Sequence, residues 1–300
     1  MYWPGENADQ LAVKAATNPD CSAAILHGMW CVMAARQTIL MFDSGLGGLT
    51  VYREVAGARP DADFVYVADD AAFPYGAKPE HELVGRIVTL MGELIAAHQP
   101  DLIVIACNTA STIALPALRK TYSVPFVGTV PAIKPACAGS KTKRVSVLGT
   151  KGTVQREYTR ALIRDYAGDC QVTLVGAKNL AGYAEAELAG APASDAEIAA
   201  EIAPCFHDDG ARTDTVVLAC THYPLVIERL RRLAPWPVNF IDPAPAIARR
   251  VVSLLGPAPS GGTSRTKTHA VFTSGRQPAS TLNMISQRFY PRFDTAPLSP

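Results

Sequence analysis

The sequence lacks an excess of either charge. Its 300 residues include 28 Lys and Arg against 27 Asp and Glu, which gives a formal net charge of +1. Such a balance offers no electrostatic basis for binding nucleic acid or an anionic membrane surface. We therefore expect neither a nucleic-acid partner nor attachment to a membrane.

The seven cysteines lack the spacing that would indicate disulfides or a metal site. They contain no CxxC pair and no Cys/His ligand pattern. Neither a disulfide framework nor a bound metal is therefore predicted. Free thiols are most compatible with a reducing compartment, and we expect a cytoplasmic protein.

A long hydrophobic run is also missing. Residues 21–35 are apolar, but a transmembrane helix needs about 20 such residues. Glu6, Asp9 and Asp20 precede this segment, where a signal peptide would carry positive charge. We interpret residues 1–36 as an N-terminal extension that could be disordered.

The rest of the chain alternates short apolar runs with amphipathic stretches. The predicted strands are residues 38–42, 64–68, 102–106, 126–130, 145–149, 172–175, 216–219 and 269–273. The clearest helix has an apolar stripe of Leu83, Ile87, Leu90, Met91, Leu94 and Ile95. Continuous apolar strands between helices predict an α/β fold with parallel sheets that are covered on both faces.

Two segments share one plan and divide the chain into two halves. LIVIACNTAS (102–111) and VVLACTHYP (216–224) each consist of an apolar strand, then Ala-Cys, then polar residues. Ligands of open α/β sheets bind beyond the carboxyl ends of the strands, so Cys107 and Cys220 occupy candidate catalytic positions. The alternative is that both are small buried hydrophobic residues, as free cysteines often are.

A facing pair of thiols is suited to inverting a carbon centre without a cofactor. One base must remove the α-proton and an acid must return a proton on the other face. A thiol, with an ordinary pKa of about 8.5, can serve in either form. Asn108, Thr109, Thr221 and His222 stand beside the two cysteines and can donate hydrogen bonds to a substrate carboxylate or a thiolate.

Two further loops follow predicted strands. In ILMFDSGLGGLTV (39–51), Thr50 occupies the third glycine position of the dinucleotide fingerprint, so a nicotinamide site is disfavoured. Asp43 could bind a substrate amino group or orient a thiol. Alternatively, Asp43 and Ser44 could only cap the next helix.

In the second loop, VYVADDAAFPYGAK (65–78), Pro74, Tyr75 and Gly76 form a predicted turn. Its Tyr hydroxyl and Gly amide could bind a carboxylate.

Together these segments resemble the glutamate racemases, in particular their longer proteobacterial type. The resemblance covers residues 39–275 and includes FDSGLGGLTV, DDAAFPYG, ACNTAS, VPFVGTVPAIKPA, LGTKGTV, ACTHYPL and IDPAPAIARR. It implies two pseudo-symmetric, doubly wound α/β domains with mainly parallel sheets and an active site in the cleft between them. We expect residues 37–131 with 244–300 to form the first domain and residues 132–243 the second.

The resemblance also implies an activity and its residues. The expected reaction is interconversion of L- and D-glutamate without a cofactor, which supplies D-glutamate for peptidoglycan. Cys107 and Cys220 correspond to the acid/base thiols, Asp43 and His222 to residues that assist them, and Glu185 to an assisting residue of the second domain. The implied substrate-binding residues are Asp43, Ser44, Pro74, Tyr75, Gly76, Asn108, Thr109, Thr153, Thr221 and His222.

The resemblance leaves partners and rival activities open. Some members of the longer type are activated by a peptidoglycan precursor, and either a monomer or a homodimer is compatible with the sequence. One alternative is a sister racemase that acts on aspartate or a hydantoin. The other is a non-catalytic protein that binds an amino acid between two α/β domains.

Overall fold

The computed structural model describes residues 36–259 and 267–276, together with the backbone of residues 293–295. Most of the predicted N-terminal extension therefore lies outside the described residues. The strands are β1 Thr38–Asp43, β2 Asp63–Ala68, β3 Leu102–Ile105, β4 Phe126–Gly128, β5 Arg144–Thr150, β6 Gln171–Ala177, β7 Thr215–Ala219, β8 Asn239–Ile241, β9 Thr268–Phe272 and β10 Phe293–Thr295. Each of the eight predicted strands is confirmed, with boundaries shifted by one or two residues.

The helices lie between these strands. They are α1 Leu49–Ala58, α2 Glu80–His98, α3 Asn108–Thr121, α4 Ile133–Gly139, α5 Lys151–Val154, α6 Glu157–Tyr166, α7 Leu180–Leu188, α8 Asp195–Ile202, α9 Ile227–Leu233 and α10 Ala244–Leu255. The predicted stripe on α2 is confirmed for Leu83, Ile87, Met91 and Leu94, which are buried. Leu90 and Ile95 are only partly buried and pack at the edge of the same core.

The strands form two sheets in which all pairings are parallel. The first sheet has the order β10-β9-β2-β1-β3-β4, and the second has the order β6-β5-β7-β8. Numbered from its own first strand, each half has the arrangement 2-1-3-4. The α/β class and the related topology of the halves are thus confirmed. The order reverses between strands one and three of each half, which is where open α/β sheets bind ligands.

Apolar residues alternate between the two faces of the first sheet. Ile39 and Met41 of β1 point into one core, whereas Leu40 and Phe42 point into another. The core that contains Ile39 also includes Leu218 of the second sheet, so one apolar cluster is continuous between the halves. This shared cluster buries the side of each sheet that faces the other half, and it fixes the positions of the loops at the strand ends.

Two short strands were not predicted. β8 and β10 have three residues each, and the β8 residues are only partly buried or exposed. Runs this short carry too little periodicity to be recognised. β9 and β10 return to the first sheet, and β8 completes the second; the domain boundaries themselves stay a prediction.

No helix among the described residues is long and apolar enough to span a membrane.

The two faces of α2 provide a test of the core. Leu83 is 1% exposed, so Leu83→Ala should lower the free energy of unfolding by about 2–5 kcal/mol through loss of buried contacts and formation of a cavity. Leu90→Ala, on the same helix but at a partly buried position, should cost about 1 kcal/mol or less. Urea denaturation of both variants measures the difference, and equal losses would contradict the packing described for α2.

Candidate active site

Loops from both sheets meet around one small cavity. Its volume is about 20 Å³, which is room for roughly one water molecule. Its lining residues are Ser44, Phe73, Pro74, Tyr75, Gly76, Cys107, Asn108, Thr109, Thr150, Ala181, Ala219, Cys220, Thr221 and His222. Ten of the thirteen predicted site residues are in this lining, and both predicted thiols are among them.

Cys107 lies where β3 ends and α3 begins. It is the N-cap residue of α3, and the amide of Ala110 donates to its Sγ atom at 3.5 Å. The thiol itself donates to Ser44 Oγ at 3.7 Å. Burial raises the pKa of Cys107 to about 12, and the nearby Asp43 carboxyl adds to the rise. Cys107 is therefore held as a neutral thiol in the structure as it stands.

Cys220 has different partners. It follows β7, and its Sγ atom lies 3.7 Å from His222 Nδ1. On the other side of the ring, His222 Nε2 lies 2.7 Å from Glu185 Oε1, and a carboxylate can only accept there. Burial alone would lower the pKa of His222, but the Cys220 and Glu185 partners raise it well above its ordinary value. The charged imidazole of His222 therefore lies directly beside the Cys220 thiol.

Asp43 lies behind the cavity wall and links the halves. Its Oδ2 accepts from the amides of Gly45 and Gly48, so it holds the loop that leads into α1, although the helix itself has Gly48 as its N-cap residue and no side-chain cap. Its Oδ1 also accepts from the Thr221 hydroxyl of the second half, at 3.2 Å. Burial raises the pKa of Asp43 to about 6, although the charge of His222 acts in the opposite direction.

Close packing of this loop requires glycine. A Cβ atom on Gly45 would lie 2.1 Å from Glu185 Oε1, and one on Gly47 would lie 2.5 Å from His222 Nδ1. The amide of Leu46 donates to the same Glu185 oxygen at 2.7 Å. The glycines thus allow the loop of the first half to pack closely against His222 and Glu185. Binding of a nucleotide phosphate is not needed to explain them.

Asn108 and Thr109 present polar groups to the cavity. Both the Oδ1 and Nδ2 atoms of Asn108 are buried without a hydrogen-bond partner among the described residues. Unpartnered buried amides are costly, so this side chain fits a polar ligand. Thr109 Oγ1 lies 3.3 Å from both Thr150 Oγ1 and Thr153 Oγ1. Thr153 therefore supports Thr109 from behind and does not reach the cavity wall, where a carboxylate contact was expected.

Tyr75 occupies the cavity wall in an unexpected way. Its hydroxyl donates to the carboxylate of Asp69, so it is not available to a substrate carboxylate as the sequence suggested. The main chain at Gly76 stays at the cavity wall. Phe73, just before the turn, lies with its ring 5.2 Å from the centre of the His222 ring.

Four lining residues were not predicted from the sequence. Thr150 belongs to the LGTKGTV motif, and Phe73 and Ala219 adjoin predicted site residues, so each carried a local signal. Ala181 of α7 carried none, because a small apolar residue on a helix is indistinguishable from packing. Asp43, Glu185 and Thr153 lie one layer behind the lining and bond to residues within it.

The site offers acid/base chemistry. Within the part of the chain that the structure describes, no three His, Cys, Asp or Glu side chains are grouped to hold a metal ion. Two thiols from equivalent loops, one neutral and one beside a charged imidazole, can supply an acid and a base to one bound molecule.

The chain belongs to a family of racemases: the family model described as Asp/Glu/Hydantoin racemase matches residues 49–251. Within that family it is similar to glutamate racemases. One from Brucella canis is 53% identical over 263 residues, which cover 87% of this chain and 95% of that protein. One from Brucella anthropi is 60% identical over 225 residues, or 74% of this chain and 81% of that protein.

A solved structure gives the same result. The crystal structure of Escherichia coli glutamate racemase, in complex with L-glutamate and the activator UDP-MurNAc-Ala, superposes with a TM-score of 0.76 and 37% identity. The match covers 88% of this chain and all of the Escherichia coli chain.

Asp43 provides a test of burial through the pH dependence of stability. Its folded pKa of about 6 lies above the ordinary 3.8, so ionising the folded carboxyl costs stability. This cost is absent below about pH 3.8 and complete above about pH 6. Asp43→Asn removes this cost of ionisation. The free energy of unfolding of the variant relative to the parent should therefore be about 1–2 kcal/mol higher near pH 7.5 than near pH 5.

Urea denaturation of the parent and Asp43→Asn at both pH values measures this gain. Because lost hydrogen bonds to Gly45, Gly48 and Thr221 affect both pH values alike, the difference isolates the ionisation. A gain that is equal at both pH values would contradict the burial of Asp43.

Proposed function

We propose that this protein is an isomerase that interconverts L-glutamate and D-glutamate by direct proton transfer, with Cys107 and Cys220 as the acid/base pair. The observation that carries the proposal is that the two thiols, from equivalent loops of two related halves, line the same buried cavity. No pyridoxal phosphate or other cofactor takes part. Family membership and the glutamate racemases among the relatives support the same reaction.

We assign the base to Cys220, which lies beside the charged His222 ring, and the acid to Cys107, whose pKa is raised by burial. Cys220 then removes the α-proton of the substrate, and Cys107 gives its proton to the opposite face of the α-carbon. The products are the other enantiomer, a Cys220 thiol and a Cys107 thiolate. Reversal, or proton exchange between the thiols and solvent, restores the starting state.

The surrounding groups reduce the cost of the carbanion. The unpartnered Asn108 amide can bind the substrate carboxylate more strongly as charge develops at the α-carbon, and the main chain of Gly76 can help to hold the same carboxylate. Glu185 keeps His222 oriented, and Asp43 keeps Thr221 oriented. We place Glu185 and Asp43 in assisting roles because they contact residues that line the cavity and do not line it themselves.

A cavity of about 20 Å³ is too small for glutamate, so we propose that the halves separate to admit the substrate and close over it. The contact that would open lies between Gly76 of the first half and Gly152 of α5 in the second. An ion pair between Arg156 and Glu80 joins the halves beside it. Closure then removes water from the reacting groups.

The proposed domain boundaries, residues 37–131 with 244–300 and residues 132–243, agree with the division into two sheets.

The cellular setting follows from the chemistry. A mechanism that needs two free thiols is suited to a reducing cytoplasm, where D-glutamate would be supplied to peptidoglycan synthesis. UDP-MurNAc-Ala, bound as activator in the Escherichia coli structure, is the natural first effector to test here. The comparison is initial racemisation rate with and without it.

Rival functions differ in measurable ways. An aspartate or hydantoin racemase of this family would turn over those substrates faster than glutamate. A non-catalytic binding protein would bind an amino acid equally well after its thiols were blocked. Exchange of the α-proton in D₂O, without added cofactor and measured in parallel for glutamate, aspartate and a hydantoin, separates all three.

Single cysteine variants test the two-thiol mechanism. Cys107→Ser and Cys220→Ser should each lower racemisation at least about 10³-fold, because one face of the substrate loses its acid or base. Each should retain α-deuterium exchange, without inversion, for only the enantiomer that faces the remaining thiol. Nuclear magnetic resonance and polarimetry in D₂O measure exchange and inversion together.

Cys170→Ser is the matched control, since Cys170 is a free cysteine outside the cavity, and it should retain parental activity. Full racemisation by either active-site variant would exclude the mechanism.

Gly152 tests the proposed closure. A Cβ atom there would lie 3.2 Å from the carbonyl oxygen of Gly76 and 3.3 Å from its Cα atom, both of which are backbone atoms. Gly152→Ala should hold the halves apart and lower kcat/KM by about tenfold or more. Gly139→Ala, where a Cβ would meet nothing within 4 Å, should leave kcat/KM unchanged. Equal kcat/KM values in both variants would show that tight contact at Gly76 is not required.

A further inference from the structure

Asp69 is a buried carboxylate that the proposed mechanism does not use. It follows β2 directly, and its amide donates to the carbonyl oxygen of Asp43 at 2.8 Å, which places it beside the active-site loop of β1. It is fully buried but not among the residues that line the cavity. Burial would raise the pKa of Asp69, yet hydrogen bonds from Arg86, Thr273 and Tyr75 bring it below its ordinary value.

Four hydrogen bonds converge on this carboxylate from three separate elements. Arg86 of α2 donates through two nitrogens, Nε at 2.7 Å and Nη2 at 2.5 Å. Thr273, which follows β9, donates its hydroxyl at 2.6 Å. The Tyr75 hydroxyl donates at 2.5 Å. Charge-assisted bonds of this kind are among the strongest in proteins, and the bidentate arginine also fixes the geometry.

Tyr75 is the only one of these partners that reaches the active site. Tyr75 is 1% exposed and its hydroxyl is held by Asp69, and Tyr75 and Gly76 both line the cavity. The same turn packs against Thr150 and Gly152 of the second half. If the halves separate, those second-half contacts are lost, and the bonds to Asp69 remain to hold the turn.

We infer that Asp69 is a positioning residue for the proposed racemisation: it anchors Tyr75, and thereby the Tyr75–Gly76 wall, to the framework of the first half. The turn then keeps its substrate-binding shape in the open state as well as the closed one. Preorganisation of this kind lowers the cost of binding, since the turn does not have to be ordered by the substrate. The inference rests on the proposed function, because the wall is assigned to substrate binding there.

The neighbouring Asp70 offers a matched control. Its carboxylate accepts from the amide of Ser274 at 2.9 Å and from the Ser274 hydroxyl at 2.5 Å, so it ties the same loop to the segment after β9. Among the described residues, the partners shown for the Asp70 carboxylate are Ser274 and Thr273, and not Tyr75. Asp70→Asn thus weakens the loop without releasing the wall, whereas Asp69→Asn removes the charge that holds Tyr75 and Arg86.

The experiment compares the full-length parent with Asp69→Asn, Tyr75→Phe, the double variant and Asp70→Asn. Steady-state racemisation of L-glutamate gives kcat and KM, and thermal unfolding reports stability. We expect KM to rise between about tenfold and a hundredfold in Asp69→Asn, with kcat within about threefold of the parent, because the wall contributes to binding in the ground and transition states alike. Asp70→Asn should retain the parental KM.

The double variant separates positioning from general stability. If Asp69 acts through Tyr75, the KM of the double variant should equal that of the more affected single variant, since both changes remove one connection. Multiplying effects, an unchanged KM in Asp69→Asn, or an equal rise in Asp70→Asn would overturn the inference. If Asp69→Asn does not fold, Tyr75→Phe alone decides: a parental KM in that variant would overturn it.

The activity of the parent protein separates failure of the positioning role from failure of the proposed function. Absence of glutamate racemisation by the parent would count against the proposed function itself. An active parent with an unaffected Asp69→Asn variant would count against the positioning role alone.

Discussion

The chemistry of the site depends on the burial of its ionisable groups where loops from the two sheets meet. Asp43, Cys107 and His222 are all buried there. Burial raises the pKa of Asp43 and of Cys107, because it penalises their charged forms. His222 is the exception: its pKa rises because Cys220 and Glu185 favour the charged ring more than burial opposes it. Burial and hydrogen-bond partners together assign different charges to groups that lie close together.

The repeated topology explains why the site has two thiols, and the loops explain why they differ. Cys107 and Cys220 each follow the third strand of a half with the arrangement 2-1-3-4. Cys107 caps a helix of 14 residues and contacts Ser44, whereas Cys220 contacts an imidazole that is held by a carboxylate. Related halves therefore place equivalent atoms, and their unequal neighbours suit one thiol to act as the base and the other as the acid in a given turnover.

Several residues matter through the residues they hold. Asp43 bonds to Thr221, Glu185 to His222, Thr153 to Thr109 and Asp69 to Tyr75. The Asp43–Thr221 bond crosses from one half to the other, and the Glu185–His222 bond joins different elements of the second half. Closure of the halves and orientation of these side chains are therefore coupled. Such supporting bonds fix rotamers that a catalytic geometry needs to within a fraction of an ångström.

The α/β class, the eight longer strands and the two thiol loops were predictable from the sequence, because they depend on local apolar periodicity and on motifs of neighbouring residues. Ten residues that line the cavity were predictable as well, since they lie in loops that follow strands. The folded structure was needed to show that Tyr75 turns its hydroxyl to Asp69, that Thr153 stands behind Thr109, and that Ala181 reaches the site. These outcomes depend on which side chains meet across distant segments and on which polar groups lose water, and neither is encoded in local sequence spacing.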